Sequence, residues 1–82
     1  MEIFPNPCSD IVRIRYKMQD AGYRMVEVYS ISGKKIRRAF EGEKGPGTYE
    51  EILDVHDLPA GVYFIRLQAG REVAVRKLIV TK

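Results

Sequence analysis

The chain has no tryptophan, one cysteine (Cys8) and one histidine (His56) among its 82 residues, and each scarcity removes a class of protein. A lone cysteine closes no internal disulfide, so packing must hold the fold. A zinc site needs three or four convergent ligands, and no second histidine exists to supply them. Nucleophilic chemistry is equally short of parts: Cys8 follows Pro7 with no base beside it, and Ser9, Ser30 and Ser32 fall in turn-like contexts. No apolar run approaches the roughly 20 residues that a spanning helix requires, so no helical anchor is predicted. Internal repeats and low-complexity segments are absent too. No leader precedes the first predicted strand, and Met1 stands so close to it that the expectation is a longer native protein.

What is present reads as one thin-cored globular domain, with 45% hydrophobic and 30% charged residues. Fourteen basic against 11 acidic residues leave a net charge of +3, too mild for a nucleic-acid arm.

The dominant period is two. Val12, Ile14, Tyr16 and Met18 alternate with Arg13, Arg15 and Lys17, as in a strand with one face in water. From Tyr23 to Ile31 the alternation changes phase, which predicts a bulge or a strand covered on both faces. Gly33 suits a tight hairpin, and Ile36 to Phe40 forms the return strand. Glu41 to Gly47 is expected to be a polar loop, followed by a strand from Thr48 to about Leu53 and a connection from Asp54 to Pro59. Val62 to Leu67 reads strongly as strand, with Tyr63, Ile65 and Leu67 on one face. A turn at residues 69–71 leads to a last strand from Val73 to Thr81, and a short one at Glu2 to Phe4 is ended by Pro5 and Pro7. Seven strands with turn signals every ten or so residues predict an all-β, seven-stranded antiparallel Ig-like β-sandwich. The Cys, Trp, Cys signature of antibody domains is missing.

Few residues suggest chemistry. Asp54, His56 and Asp57 are close in sequence, but the plainer reading is a hydrated loop in which Asp54 bonds its own backbone. Gly45 and Gly47 precede a strand and not the helix N-terminus of a phosphate cradle. The stripe of Arg13, Arg15 and Lys17 lacks interleaved exposed aromatics for base stacking and reads as solvated edge protection. Tyr16, Tyr29, Tyr49 and Tyr63 read as packing residues. No catalytic, cofactor or metal residue is assigned, and no nucleic-acid partner is expected.

The ordered motifs resemble the C-terminal sorting domain of proteins exported by the type IX, or Por, secretion system of Bacteroidetes. Phe4, Pro5, Asn6 and Pro7 are similar to its aromatic and PNP opening, and Ile14 and Tyr16 to its next strand. Val26, Val28, Tyr29, Ile31 and Gly33, followed by Ile36, resemble its hairpin. Gly47, Thr48 and Tyr49 are similar to the opening of a later strand, and Leu58, Pro59, Ala60, Gly61, Val62, Tyr63 and Phe64 to its most recognisable segment. Lys77 to Lys82 resembles its terminal lysine-bounded apolar run. Ser30 stands where that family commonly has an aspartate, and Arg13 and Arg15 are this sequence's own.

The resemblance covers nearly the whole chain and implies a folded export signal behind an N-terminal cargo. It would be recognised in the periplasm by the translocation machinery and removed at the surface by a sortase-like protease. On that reading Lys77, Leu78, Ile79, Val80 and Lys82 carry recognition, with the terminal strand's backbone open to strand addition and Leu78 and Val80 filling receptor pockets. Removing Lys77 to Lys82 is then expected to spare most of the fold. Pro5, Asn6, Pro7, Gly33, Gly47, Leu58, Gly61 and Tyr63 are assigned to the fold, and an unpaired edge strand allows a homodimer. The alternatives are an Ig-like accessory or adhesion module binding carbohydrate or a surface partner, or a scaffold resembling the Ig-like repeats of flagellar hook caps.

Overall fold

The alternation in residues 11–18 is realised side chain by side chain: Val12, Ile14, Tyr16 and Met18 are buried, and Ile11, Arg13, Arg15 and Lys17 are exposed. The computed structural model describes residues 1–82. Its strands are β1 (Glu2–Phe4), β2 (Ile11–Met18), β3 (Gly22–Ser30), β4 (Lys35–Lys44), β5 (Gly47–Asp54), β6 (Gly61–Ala69) and β7 (Glu72–Val80). They form two antiparallel sheets, ordered β1-β2-β5 and β4-β3-β6-β7, with principal extents of 37 × 22 × 16 Å. The inner faces meet in one cluster of 15 buried apolar side chains. This is the expected seven-stranded sandwich.

Strand β3 meets both sequence-based expectations for its irregular phase. Its ladder with β4 shifts register at Val26/Glu27 and at Val28/Tyr29, and Val26, Glu27 and Val28 are all buried. The hairpin after it turns at Gly33, whose φ of +90° is costly for any residue with a Cβ. Ser30 N–H and Gly33 N–H donate to Lys34 O and Ser30 O at 2.8 and 2.9 Å.

Two expectations need correction. The polar stretch from Glu41 is not a loop: the β3–β4 ladder runs on to Gly22↔Lys44, leaving Gly45 and Pro46 as the connection, and Gly47 is already in β5. Ladder bonds are made by backbone groups, which the charge of Glu41, Glu43 and Lys44 does not remove. Nor does the basic stripe protect an edge, because β2 lies in the middle of its sheet. Arg13 and Arg15 instead pair with Glu50 across the ladder at 3.1 and 3.7 Å.

Candidate recognition surface at the terminal strand

Strand β7 pairs with β6 from Ala69↔Glu72 to Gly61↔Val80 and forms one edge of the four-stranded sheet. Period two divides its side chains between the faces. Leu78 and Val80 point inward and are 0% and 1% exposed. They are core residues, so in the folded module neither side chain is presented to a receptor pocket as the sequence reading had it. Val73, Val75, Lys77 and Ile79 share the outer face. The two valines are 49% and 47% exposed, Lys77 is exposed and Ile79 is half-buried. Lys82 is drawn back over the end of the sandwich, its Nζ donating to His56 O at 2.7 Å and Ser9 O at 3.3 Å.

The outer backbone edge of β7 is not open along its C-terminal half. Asn6 Nδ2 donates to Lys77 O at 2.8 Å, and Ile79 N–H donates to Asn6 Oδ1 at 2.9 Å. One step further, Cys8 N–H donates to Ile79 O at 2.9 Å and Thr81 N–H to Cys8 O at 2.8 Å, so Cys8 and Val80 form a parallel bridge. Pro5 and Pro7, which flank Asn6, have no N–H to give, so the Asn6 side chain and the Cys8 backbone make these bonds. The PNP segment thus sits on the strand edge that was expected to be free.

Other motif residues shape the connections between strands. Gly61 opens β6 at φ +156°, and two residues later the Tyr63 hydroxyl donates to Pro59 O at 2.7 Å, pinning the loop that buries Leu58. The same device recurs at β5: Gly47 precedes Tyr49, whose hydroxyl donates to Gly45 O at 2.6 Å. Each tie resembles the tyrosine corner of Ig-like domains. In the loop between β5 and β6, Asp54 Oδ1 accepts from His56 N–H at 2.9 Å and contacts His56 Nδ1 at 2.8 Å, shaping the turn as expected. The His56 backbone N–H and ring hold the Asp54 carboxyl below its ordinary value, and Asp54 in turn raises the imidazole. Asp57 turns instead to Arg37 at 2.8 Å, which keeps its carboxyl low. No three metal-ligating side chains converge anywhere.

Sequence reasoning missed Arg24. It is 1% exposed, and its guanidinium carbon lies 4.1 Å from the Phe40 ring centre and 4.2 Å from that of Tyr49. Nη2 reaches Glu51 at 3.1 Å and Nε donates to the Tyr16 hydroxyl, which itself donates to Glu51 at 2.5 Å. Nη1 is buried without a hydrogen bond, among rings whose faces attract a cation. The group ties β3 to β2 and β5 across the two sheets. Burial and Glu51 together push the Tyr16 phenol strongly upward. Glu27, 2% exposed, is also a buried charge: burial alone raises its carboxyl, but Tyr29, Lys35 and Arg38 outweigh that and hold it below its ordinary value.

A two-sheet antiparallel sandwich with no catalytic cluster, in which an opening PNP segment is bonded to a lysine-flanked last strand, defines an Ig-like module. The chain belongs to the secretion system C-terminal sorting domain family, which it matches over residues 2–81. It is a C-terminal sorting signal of type IX secretion. The family is one of sorting signals and not of enzymes. Membership implies interaction with the type IX machinery and a cargo protein, and export to the cell surface or extracellular space. No curated protein matches the chain.

Proposed function

We propose that residues 1–82 form a single sorting module carried behind an N-terminal cargo and excised from a longer secreted protein. The module crosses the periplasm with its cargo, is read by the translocation machinery through β7, and is removed at the surface by a sortase-like protease. The observation that carries this reading is the outer row of β7: two half-exposed valines, Val73 and Val75, continue into exposed Lys77 and half-buried Ile79 on one face. Contiguous exposed apolar side chains flanked by charge suit a docking surface. Lys77 and Ile79 are contact residues on this reading, Lys82 fastens the end of the signal, and Leu78 and Val80 support the row from beneath. The charged outer edge of β4 disfavours self-pairing there, so any edge-strand homodimer would form through β7.

The test is export of a fluorescent reporter fused ahead of residues 1–82, behind a signal peptide, in a type IX-competent bacterium and a secretion-deficient strain. Lys77→Glu and Val75→Ser lie outside the core and are expected to reduce surface reporter while leaving the melting curve of the purified domain unchanged. Intact-mass analysis of the released reporter reads removal of the module. Reporter retained in the periplasm of both strains, despite a folded domain, would sink the proposal.

A further inference from the structure

Four outward backbone groups of β7 and the residue after it, Lys77 O, Ile79 N–H, Ile79 O and Thr81 N–H, are all satisfied by residues 6–8. The Asn6 side-chain amide supplies a donor and an acceptor in the spacing of a peptide group, and the backbone of Cys8 supplies the next pair. Together they imitate a short parallel strand, matching the parallel bridge of Cys8 with Val80. The imitation is lightly held. Pro5, Asn6 and Pro7 are exposed, and only Cys8 is anchored in the core.

The rest of the edge pairs with no strand and is screened only by the Arg76 side chain, whose Nε donates to Met1 O at 3.1 Å. Outward groups recur every second residue along a strand, so those of Val73 and Val75 face the same side as the groups taken by Asn6 and Cys8. Arg76 Nη1 takes Val75 O at 3.0 Å, and no neighbouring strand pairs with this half. An extended chain pairing beside Val73 and Val75 would run directly into Asn6. It can continue only by taking over the bonds that residues 6–8 make, one for one.

We infer that the Pro5–Cys8 segment is a displaceable cover on β7, and that the partner reading the signal is an extended strand. That strand starts on the strand-free edge at Val73–Val75, where it takes Val75 O from the Arg76 side chain, and replaces Asn6 and Cys8 along Lys77–Thr81, donating to Lys77 O and Ile79 O and accepting from Ile79 and Thr81 N–H. This rests on the sorting reading above and adds how the strand is reached: the resting module hides its signal, and recognition strips the cover.

The test locks the cover. Cys8 and Val80 are bridge partners with buried side chains, so Val80→Cys places two thiols where a disulfide can close during oxidative folding. The expected result in the reporter assay is that the wild type and the Cys8→Ala/Val80→Cys control are exported, whereas the disulfide-closed Val80→Cys protein is folded but retained. Export of Val80→Cys with its disulfide intact, shown by thiol labelling of surface protein, would overturn the inference while leaving the sorting reading in place. A wild type that is not exported overturns both. A second variant stands apart from core packing: in Asn6→Ala the Ile79 amide should exchange with solvent roughly fivefold faster, with export retained or increased. Faster exchange accompanied by loss of export would show that Asn6 belongs to the surface being read, and would refute its role as a cover.

Discussion

Replacing Leu78 by alanine tests whether the terminal strand is core or presented signal. Leu78 is fully buried opposite Tyr63, so truncation removes apolar area and leaves a cavity, at a cost of about 2–5 kcal/mol. A chain of 82 residues at about 0.05–0.15 kcal/mol per residue has a total stability of about 4–12 kcal/mol. Leu78→Ala alone should therefore lower the melting temperature by roughly 8–40 °C, at about 4–8 °C per kcal/mol for a domain of this size. Deleting Lys77 to Lys82 removes Leu78, Val80 and the bonds to Asn6 and Cys8 together, a loss comparable with the whole, and the truncated chain should not fold. Lys77→Ala should stay within about 0.5 kcal/mol. Thermal unfolding followed by far-UV circular dichroism, with urea titration of the same variants, reads all three. A truncated domain that melts cooperatively within a few degrees of the intact one, or a Leu78→Ala cost below about 1 kcal/mol, would refute the reasoning. Loss of export on terminal deletion is accordingly a folding result as well as a signalling one.

Arg24→Ala strips the cation from Glu51 and opens a void between Phe40 and Tyr49, so urea unfolding should show a loss of about 3–5 kcal/mol; replacing Arg24 and Glu51 together by methionine should recover most of it. His56 titrates above its ordinary value because of Asp54, and proton NMR of its ring should show Asp54→Asn bringing it down. The sign follows: the histidine side of this exposed pair favours the fold below about pH 6.5 and fades as pH rises through the raised value, whereas the aspartate side is lost as pH falls through its lowered one. Tyr63→Phe removes only the hydroxyl tie to Pro59 O and should cost about 0.5–1.5 kcal/mol by urea titration, far less than removing the ring.

Local alternation made β2 and β6 legible, because each has one face in the core and one in water. The phase change within Tyr23 to Ile31 was legible as well, and the structure resolves it into two register shifts around a buried Glu27. The end of β4 was not, since ladder bonds ignore the side chains by which a loop is recognised. Arg24 shares its face with Val26 and Val28, so its parity pointed inward, but an arginine enters a core only where partners await it, and Tyr49 and Glu51 lie 25 and more residues away. Leu78 and Val80 carried a similar signal, being of opposite parity to Val73 and Val75. A terminal apolar run reads equally as a packed strand or as a presented peptide until its partner β6 is known. Asn6 was least legible, because a side-chain amide spanning 71 residues to Lys77 leaves no periodic trace.

The ties that pin the loops, Tyr63 to Pro59 and Tyr49 to Gly45, are noncovalent and span four residues each. Unfolded, the module is therefore a plain thread with no closed ring in it. Folded, it presents end-on a Cα cross-section of 22 × 16 Å, before side chains are added. A channel narrower than that can pass it only as the thread, whereas a wider one can pass it with the two sheets intact. The bore of any conduit that carries this module thus decides whether the cover over β7 exists during passage or is rebuilt after it.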